Sequence, residues 1–529
     1  MTIVLSKYTN ALLETLHKAH ATSPATDTTH LQVSQTVSFF ALAYEKVRNS
    51  IEFREEHLVR RAAIERILRR RLAINPSGKG EGENVVRELL WARYISSEML
   101  KNTQIHTTQK GIDMFCWLVA AVTKMHGRIT SKQSQYLYDI LSCEIEEHLE
   151  PHKTKQLNAN LHFYYQVLHK KFLLTGVDDT LRDAYFYTAA EVGFAKNDNA
   201  YTRYHLFTLH YGLFTHASNE KLTELASAWP TIVNDFEKII ENPYKERLIK
   251  HAKRQVAPFL ILNDIIKTSE GDPAELLQNE EQLLEKVHAS CTKKYVETST
   301  KLRTAMIRSI SYIFLTKMIF VLLLEIPLSR FLYGGIDALP LVMNVVMPPL
   351  FMGLLVSFFR VPGAKNTQRI YNRIVNIINT DETFETAPIK LSKEKQTSRP
   401  LLVLGFTLMY FIFFGILFGT MFILLEKIGF NIIGTTIFLF FLTVVGFFGY
   451  RIRQTAKEYS LEESEGVLTP ILYFIFLPIV SVGKFLSNEV ARFNVLILVF
   501  DFLIEAPFKM IIDIIEEWVK FVRGKREEI

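Results

Sequence analysis

Residues 401–425 read LLVLGFTLMYFIFFGILFGTMFILL, a run without a single charged side chain. An α-helix needs roughly 20 mainly apolar residues to cross the hydrocarbon of a bilayer. Three further stretches come close to this length, and a helix of a soluble core is rarely apolar on all sides for so long. We therefore predict four membrane-spanning helices, at 310–328, 341–359, 401–425 and 432–450.

The four predicted spans form two hairpins, because the connections inside each pair are short. Sixteen lysines and arginines flank the open ends of the hairpins, whereas the two turns hold only Arg330 and Lys427. By the positive-inside rule, the basic side faces the cytosol. We predict an integral protein of the plasma (inner) membrane with both termini in the cytosol. The sixteen are Lys293, Lys294, Lys301, Arg303, Arg308, Arg360, Lys365, Arg369, Arg373, Lys390, Lys393, Lys395, Arg399, Arg451, Arg453 and Lys457.

The 529 residues leave room for a soluble region of about 300 residues before the first span, enough for one or two packed cores. The net charge of +6 is small and lies largely beside the spans, so it does not favour a nucleic-acid partner. Three cysteines without metal spacing indicate reduced thiols. The first residues lack the apolar segment of a cleaved signal peptide.

The soluble region begins with a short helix and a polar linker at 1–34, followed by one long helix predicted over 35–75. The second half of this helix is unusually basic. Such a helix binds anionic lipid headgroups or RNA, or it forms Glu–Arg pairs at i,i+4 on a solvated face. We single out five arginines for possible contact with anionic lipid: Arg60, Arg61, Arg69, Arg70 and Arg71.

Residues 84–300 show helix after helix, with polar breaks near Asn102, Gly127, His152, Gly176, Asn197, Ser218, Asn242 and Gly271. Tyr165, Tyr185 and Tyr204 recur at about 20 residues, one in each of three successive helices. This register resembles tetratricopeptide-like helical repeats, which implies a solenoid with a concave surface for a protein partner. An irregular helical bundle is the alternative.

Charged and polar residues lie inside the predicted spans and in the last apolar segment. A lysine at mid-membrane depth is costly, so Lys317 should face the bundle or water. Glu325 lies about 12 Å further along the same helix, too far for a direct ion pair. We predict an intramembrane polar cluster drawn from Lys317, Glu325, Asn344, Asp501 and Glu505. The alternative for Lys317 is local satisfaction by snorkelling.

The third span carries Gly415 and Gly419 in a small-xxx-small pattern, which predicts close packing against another helix and permits an oligomer. Two apolar or amphipathic segments follow at 467–515, which we interpret as re-entrant or interfacial helices or as an extra pair of spans. A charged cytosolic tail occupies 516–529. The strings at 55–72 and 501–509 resemble stretches of uncharacterised polytopic membrane proteins of small-genome bacteria.

No catalytic signature, cofactor motif or metal-ligand spacing stands out, and the predicted class is all-α. The glycines at 78–82 lack the first glycine and the Ser/Thr of a phosphate-binding loop. We therefore expect a non-enzymatic, membrane-anchored scaffold whose cytosolic helical domain binds a protein partner. The alternative is a channel or transporter that uses the intramembrane polar cluster. We expect no catalytic residue, no cofactor and no metal.

Overall fold

The computed structural model describes residues 2–21, 55–96, 100–335, 337–357, 361–379, 389–391, 400–461 and 477–486, with Ile514 and Trp518. About 84% of these residues are helical, which confirms the predicted all-α class. One sheet of two short strands is present within the described ranges, and turns and irregular connections make up the rest.

The soluble region consists of helices joined by short connections. Six of the described helices here begin after a residue whose side chain accepts a backbone N–H hydrogen bond: Thr130, Asp178, Asp198, Ser218, Asp272 and Asn279. The predicted helix breaks are confirmed to within a few residues. The elements are α1 (Lys7–Ala21), α2 (Glu56–Ile74), α3 (Glu81–Trp91), α4 (Asn102–His126), α5 (Ser131–Leu149), α6 (Pro151–Leu168), β1 (Phe172–Leu174), α7 (Asp179–Gly193), α8 (Asn199–Tyr211), α9 (Asn219–Ile240), α10 (Lys245–Arg254), α11 (Val256–Thr268) and α12 (Pro273–Gln278).

In the described part of the chain, four helices are long and apolar enough to cross a membrane, as predicted. The first is the end of one nearly continuous helix from Glu280 to Tyr333, which starts among the soluble helices. The elements are α13 (Glu280–Phe320), a π-helical turn (Val321–Glu325), α14 (Ile326–Tyr333), α15 (Ala338–Ser357), α16 (Ala364–Asn379), β2 (Ile389–Leu391), α17 (Pro400–Lys427) and α18 (Ile432–Ala456), followed by a short helix α19 (Leu477–Leu486).

The basic helix is shorter than predicted. Glu55 is extended, with φ −63° and ψ 151°, and α2 begins at Glu56. The prediction of one uninterrupted helix over 35–75 therefore fails at Glu55. The helix propensities of the residues around Glu55 do not signal this break. The part of that prediction at 35–54 lies outside the described residues.

The soluble helices pack around two apolar cores. The first core includes Tyr164, Phe259 and Cys291, and the second includes Leu68, Cys143 and Trp229. Several contacts join helices distant in sequence: α1 packs on α6, α2 on α5 and α4 on α9. In a solenoid, each repeat contacts only its neighbours. The solenoid thus stays a prediction beside the bundle alternative.

The segment between the two hairpins completes the first core. Helix α16 places Ile370, Ile374, Ile377 and Ile378 among the soluble helices, where each is fully buried. Strand β2 pairs in parallel with β1, so that Phe172 faces Ile389 in register. The predicted boundary between a soluble domain at 84–300 and a membrane domain at 308–450 therefore does not describe the packing.

The chain after the fourth span returns to the same soluble helices. Lys196 forms ion pairs with Glu458 at 2.7 Å and with Glu55 at 3.0 Å. The backbone N–H of Leu461 donates to Asn366 Oδ1 at 2.8 Å, and Leu461 belongs to the first core. The open ends of both hairpins thus lie at the soluble body, and the two turns lie at the opposite end of the bundle.

Helices α13, α15 and α18 form the packed part of the membrane bundle. Their shared interior includes Ile313, Met352 and Val445. Helix α17 lies at the edge of the described bundle, where only 6% of its most apolar stretch is buried. A Cβ added at Gly415 or Gly419 would meet no described atom within 4 Å, so the helix expected to pack against this motif is not among the described residues.

The described part of the C-terminal apolar region packs into the membrane bundle. A side chain at Gly446 would come within 2.7 Å of Ile479 Cγ2, and one at Gly483 would overlap the backbone of Thr443. Helix α19 thus contacts the middle of α18 through two glycines, which favours a position at membrane depth. The rest of the segment 467–515 and nearly all of the tail 516–529 lie outside the described residues.

Ile374→Ala should loosen the first core while leaving the second intact, because it deletes buried methyl groups at a cost of about 2–5 kcal/mol. The chain carries its own probes, since Cys291 is buried in the first core and Cys143 in the second. In detergent, we expect a thiol reagent to modify Cys291 faster in the variant, with Cys143 unchanged. Gln368→Ala, at an exposed position of α16, is the control. Equal labelling of Cys291 in the wild type and Ile374→Ala would show that α16 is not part of this core.

Candidate functional site in the membrane bundle

Lys317 belongs to α13 and lies deep in the first span. Its side chain is completely buried and contacts α18. Its Nζ lies 4.3 Å from the centroid of the Phe441 ring, in cation–π geometry. It makes no hydrogen bond to any residue that the structure describes. The prediction that Lys317 faces the bundle therefore agrees with its position, whereas direct pairing with Glu325 is absent, as the helical spacing predicted.

Glu325 is the last residue of the π-helical turn at Val321–Glu325. Pro327, two residues later, lacks the N–H that would continue the α-helical ladder. The π-helical turn accommodates the hydrogen bond that Pro327 cannot donate. The helix therefore continues to Tyr333 instead of ending at the proline. The turn leaves the Glu325 side chain 5% exposed, inside the bundle.

Asn344 is the hydrogen-bond partner of Glu325. Its Nδ2 donates to both carboxylate oxygens at 2.7 Å and lies 3.3 Å from the carbonyl oxygen of Gly434. A Cβ at Gly434 would come within 3.1 Å of Glu325 Oε1, so glycine leaves room for the carboxylate. Glu325 of the first span and Asn344 of the second span thus meet beside the backbone of Gly434 in the fourth span.

The structure brings together two of the five predicted cluster residues, Glu325 and Asn344. Lys317 lies two turns away, over an aromatic ring. Asp501 and Glu505 lie outside the described residues. The sequence reading missed Phe441 and Gly434, because neither an apolar ring nor a glycine in an apolar span signals contact with a charged side chain.

Two polar residues near the turns extend the cluster. Asn431 Oδ1 accepts the Gly434 N–H at 2.7 Å and caps α18, and Asn431 Nδ2 donates to Ser329 Oγ at 2.9 Å. Ser329 is buried. An asparagine directly before an apolar run is a helix-start signal, and that signal could have drawn attention to Asn431.

The arginines proposed for lipid contact form ion pairs inside the soluble region. Arg60 pairs with Glu146 at 2.6 Å, and Arg61 pairs with Asp198 at 3.0 Å. Both arginine side chains are buried among the soluble helices. The predicted i,i+4 pairs with Glu56 and Glu65 are present as well.

Three further arginines of α2 are partly exposed. Arg69 pairs with Glu65 at 3.0 Å and lies over the Tyr138 ring, while Arg70 and Arg71 both pair with Glu88. Their positive charges are already matched by carboxylates of the same chain. Lipid contact through Arg69, Arg70 and Arg71 stays a prediction.

His205 bridges two carboxylates in the soluble core. Its Nδ1 lies 2.7 Å from Glu191 and its Nε2 lies 3.0 Å from Glu147. Burial by itself lowers the pKa of His205, but the two carboxylates outweigh it and raise the pKa to about 10. The imidazolium therefore adds stability below the ordinary histidine pKa, and this contribution is lost as the pH rises through about 10. At neutral pH the group is a fixed positive charge.

The structure places no group of three or more His, Cys, Asp or Glu side chains at metal-binding distance among the residues it describes. Comparison of the chain with protein-family models, curated proteins and solved structures finds no match. The resemblances to helical repeats and to bacterial membrane proteins therefore stay predictions from the sequence.

Asn344→Leu should destabilise the bundle by about 1–3 kcal/mol, because it removes the donor to a buried carboxylate. The double variant Glu325→Met, Asn344→Leu should recover most of this loss, since neither partner then leaves a buried polar group unpaired. The midpoint of thermal unfolding in detergent, followed by circular dichroism, measures both. Thr436→Ala, at an exposed position of α18, is the control. A single variant as stable as the wild type would contradict the role given to Asn344.

Proposed function

We propose that the protein is a membrane-anchored, non-enzymatic scaffold that holds a helical body at the cytosolic face and binds a protein partner there. The supporting observation is the attachment of that body to the membrane bundle. Helix α13 leaves the first core and continues into the first span, and α16 and β2 return from the second span into the same core. Such attachment fixes the body close to the bilayer.

The charge asymmetry of the flanking segments supports the orientation. The soluble body lies at the basic ends of the spans, and the positive-inside rule assigns these ends to the cytosol. We propose the plasma (inner) membrane as the location, with both termini cytosolic. Contact of Arg69, Arg70 and Arg71 with anionic headgroups, and an oligomer through Gly415 and Gly419, belong to the same proposal.

The proposed docking face lies on the soluble helices, whether they form a solenoid or an irregular bundle. Exposed apolar side chains mark candidate positions on α4 and at the end of α8. Leu209 is 65% exposed, and Trp117 and Met125 are more than two-fifths exposed. Large exposed apolar groups on a soluble surface are typical of contact sites for other proteins.

A photo-crosslinking amino acid placed at Leu209, Trp117 or Met125 in the full-length protein should give a discrete adduct with one partner in intact cells. The same group at Lys267, an exposed polar position of α11, should give little or none. Gel shifts after illumination, followed by mass spectrometry of the adducts, provide the measurement. Absence of any discrete adduct at all three apolar positions would remove the support for a protein partner on these faces.

A channel or transporter is the second candidate function. One observation favours it: Lys317 is fully buried at membrane depth and has no hydrogen-bond partner among the described residues. The Glu325–Asn344 pair lies about two helical turns further along the same bundle. Ionisable residues inside a membrane commonly mark ion or proton paths. Asp501 and Glu505 complete the predicted path.

If the second candidate holds, purified protein in liposomes should pass ions or protons, and Lys317→Met should reduce the flux at least about tenfold, since one charge along a low-dielectric path dominates its energetics. Lys427→Met, in a hairpin turn, should leave the flux unchanged. Fluorescent reporters of pH and membrane potential measure both. An absence of flux would exclude transport and leave the scaffold proposal standing.

A further inference from the structure

One face of α13 changes from apolar to basic where the first span leaves the membrane bundle towards the soluble helices. The residues on this face follow one another at intervals of three or four positions, so they lie in a single stripe along the helix. All of them are exposed. We call this face the α13 stripe, and its members are Lys301, Thr304, Arg308, Tyr312, Leu315 and Ile319.

The length of the helix gives the depth of the stripe in a bilayer. Arg308 lies 25 residues before Tyr333, where the first span ends at the hairpin turn. At 1.5 Å per residue, this separation is about 37 Å. The hydrocarbon is about 30 Å thick and the whole bilayer about 40–45 Å. With the turn at one surface, Arg308 lies at the depth of the lipid phosphates in the leaflet beside the soluble helices, and Lys301 lies about 10 Å further out.

The order of side chains along the stripe matches the cross-section of a phospholipid. Leu315 and Ile319 are exposed at the depth of the acyl chains. Tyr312 is 61% exposed and lies one turn closer to the surface, at the level where amphipathic aromatic rings concentrate in membrane proteins. Arg308 follows after one more turn. The stripe thus offers an apolar, an aromatic and a cationic contact in the order in which one lipid molecule needs them.

The cations of this region have no counter-charge in the described part of the chain. Arg308, Lys301 and the neighbouring Arg303 form no ion pair with any residue that the structure describes. The sequence contains no Asp or Glu between Glu297 and Glu325. The arginines of α2, by contrast, are matched by carboxylates of the soluble helices. The positive charge at phosphate depth is therefore available to a partner outside the chain.

We propose that the α13 stripe binds one anionic phospholipid of the leaflet next to the soluble helices. Arg308 contacts its phosphate, because a guanidinium group donates two parallel hydrogen bonds to phosphate oxygens. Lys301 lies over the outer part of the headgroup, where it repels the choline of a zwitterionic lipid. This site is separate from the arginines of α2 and needs neither a protein partner nor transport, so it goes beyond both candidate functions.

Fluorescence quenching by brominated lipids tests the site in the full-length protein. Tyr312→Trp places a reporter inside the stripe, and Trp518→Phe removes the one tryptophan that lies outside the soluble helices. The protein is reconstituted into liposomes of equal amounts of phosphatidylglycerol and phosphatidylcholine, with the acyl chains of one lipid or the other brominated. The ratio of the two quenching efficiencies measures the preference for the anionic lipid at the stripe. The remaining tryptophans are Trp91, Trp117 and Trp229, in α3, α4 and α9.

The reporter protein should prefer phosphatidylglycerol roughly fivefold, which is the effect of one cation near an anionic surface. The preference should fall as the salt concentration rises, since these charges are exposed. Arg308→Gln should reduce it at least about threefold. Arg308→Lys should retain part of it, because the charge remains while the two parallel hydrogen bonds are lost.

The matched control removes two exposed cations at the opposite end of the bundle. Arg330→Gln combined with Lys427→Gln should leave the preference at the stripe unchanged, because both positions lie in the hairpin turns. If Tyr312→Trp does not fold, Leu315→Trp takes its place as the reporter, one turn deeper on the same face. Both reporters should give the same order of preference among the variants.

A ratio near one in the reporter protein overturns the proposal, and so does an Arg308→Gln variant with an undiminished preference. A loss of preference when inorganic phosphate replaces chloride at constant ionic strength would assign the stripe to free phosphate and also overturn the lipid site. The measurement uses neither a partner protein nor flux. A failed crosslinking or transport experiment therefore has no bearing on this result.

Discussion

The isoleucines of α16 hold the molecule together. This helix lies between the second and third spans in sequence, yet its apolar face is buried against α1, α11 and α13. Its partner Thr9 in α1 lies 369 residues before Ile378, and its partner Tyr295 in α13 lies 71 residues before Asn366. Each buried isoleucine contributes about 1.5–3 kcal/mol by leaving water. Since α16 is joined to α15 and leads through β2 towards α17, this contact fixes where both hairpins enter the membrane relative to the soluble body.

Inside the bundle, the cost of polar groups in a medium without water determines the architecture. Asn344 satisfies Glu325 across two spans, and Gly434 gives the pair space. Lys317 instead rests over an aromatic ring. The soluble body follows the same principle with charges: Arg60 meets Glu146, and His205 lies between Glu147 and Glu191. The buried charges of Arg60 and His205 are thus matched by carboxylates from distant segments.

The length of the apolar runs was sufficient to predict the four spans, because crossing a bilayer imposes a minimum length that no other helix in the described part of the chain reaches. The helix breaks were equally predictable from Gly, Pro, Asn and Ser. The partners of the arginines were not, since Glu146 and Asp198 lie about 80 to 140 positions away from α2 and no local pattern encodes such contacts. Asn344 was singled out for its polarity, but its partner depended on a π-helical turn that the sequence signals only through Pro327.

The role of α16 could have been suspected. Ile370, Ile374, Ile377 and Ile378 follow an i, i+4, i+7, i+8 spacing, which is the signature of a helix with one buried face. The basic residues beside them directed attention to membrane orientation instead. What the pattern could not supply is the identity of the surface that covers this face.

The burial of α16 also determines when the soluble body can complete its folding during synthesis. A ribosome releases the soluble helices first, but their apolar interior remains open until 364–379 has been synthesised. At about 5–20 residues per second, the interval from Cys291 to Ile378 lasts on the order of 5–20 s. During that time the first hairpin must already enter the bilayer. Membrane insertion is therefore a step in the folding of the soluble body. A nascent chain that fails to insert leaves the apolar surface of the first core exposed to chaperones and proteases.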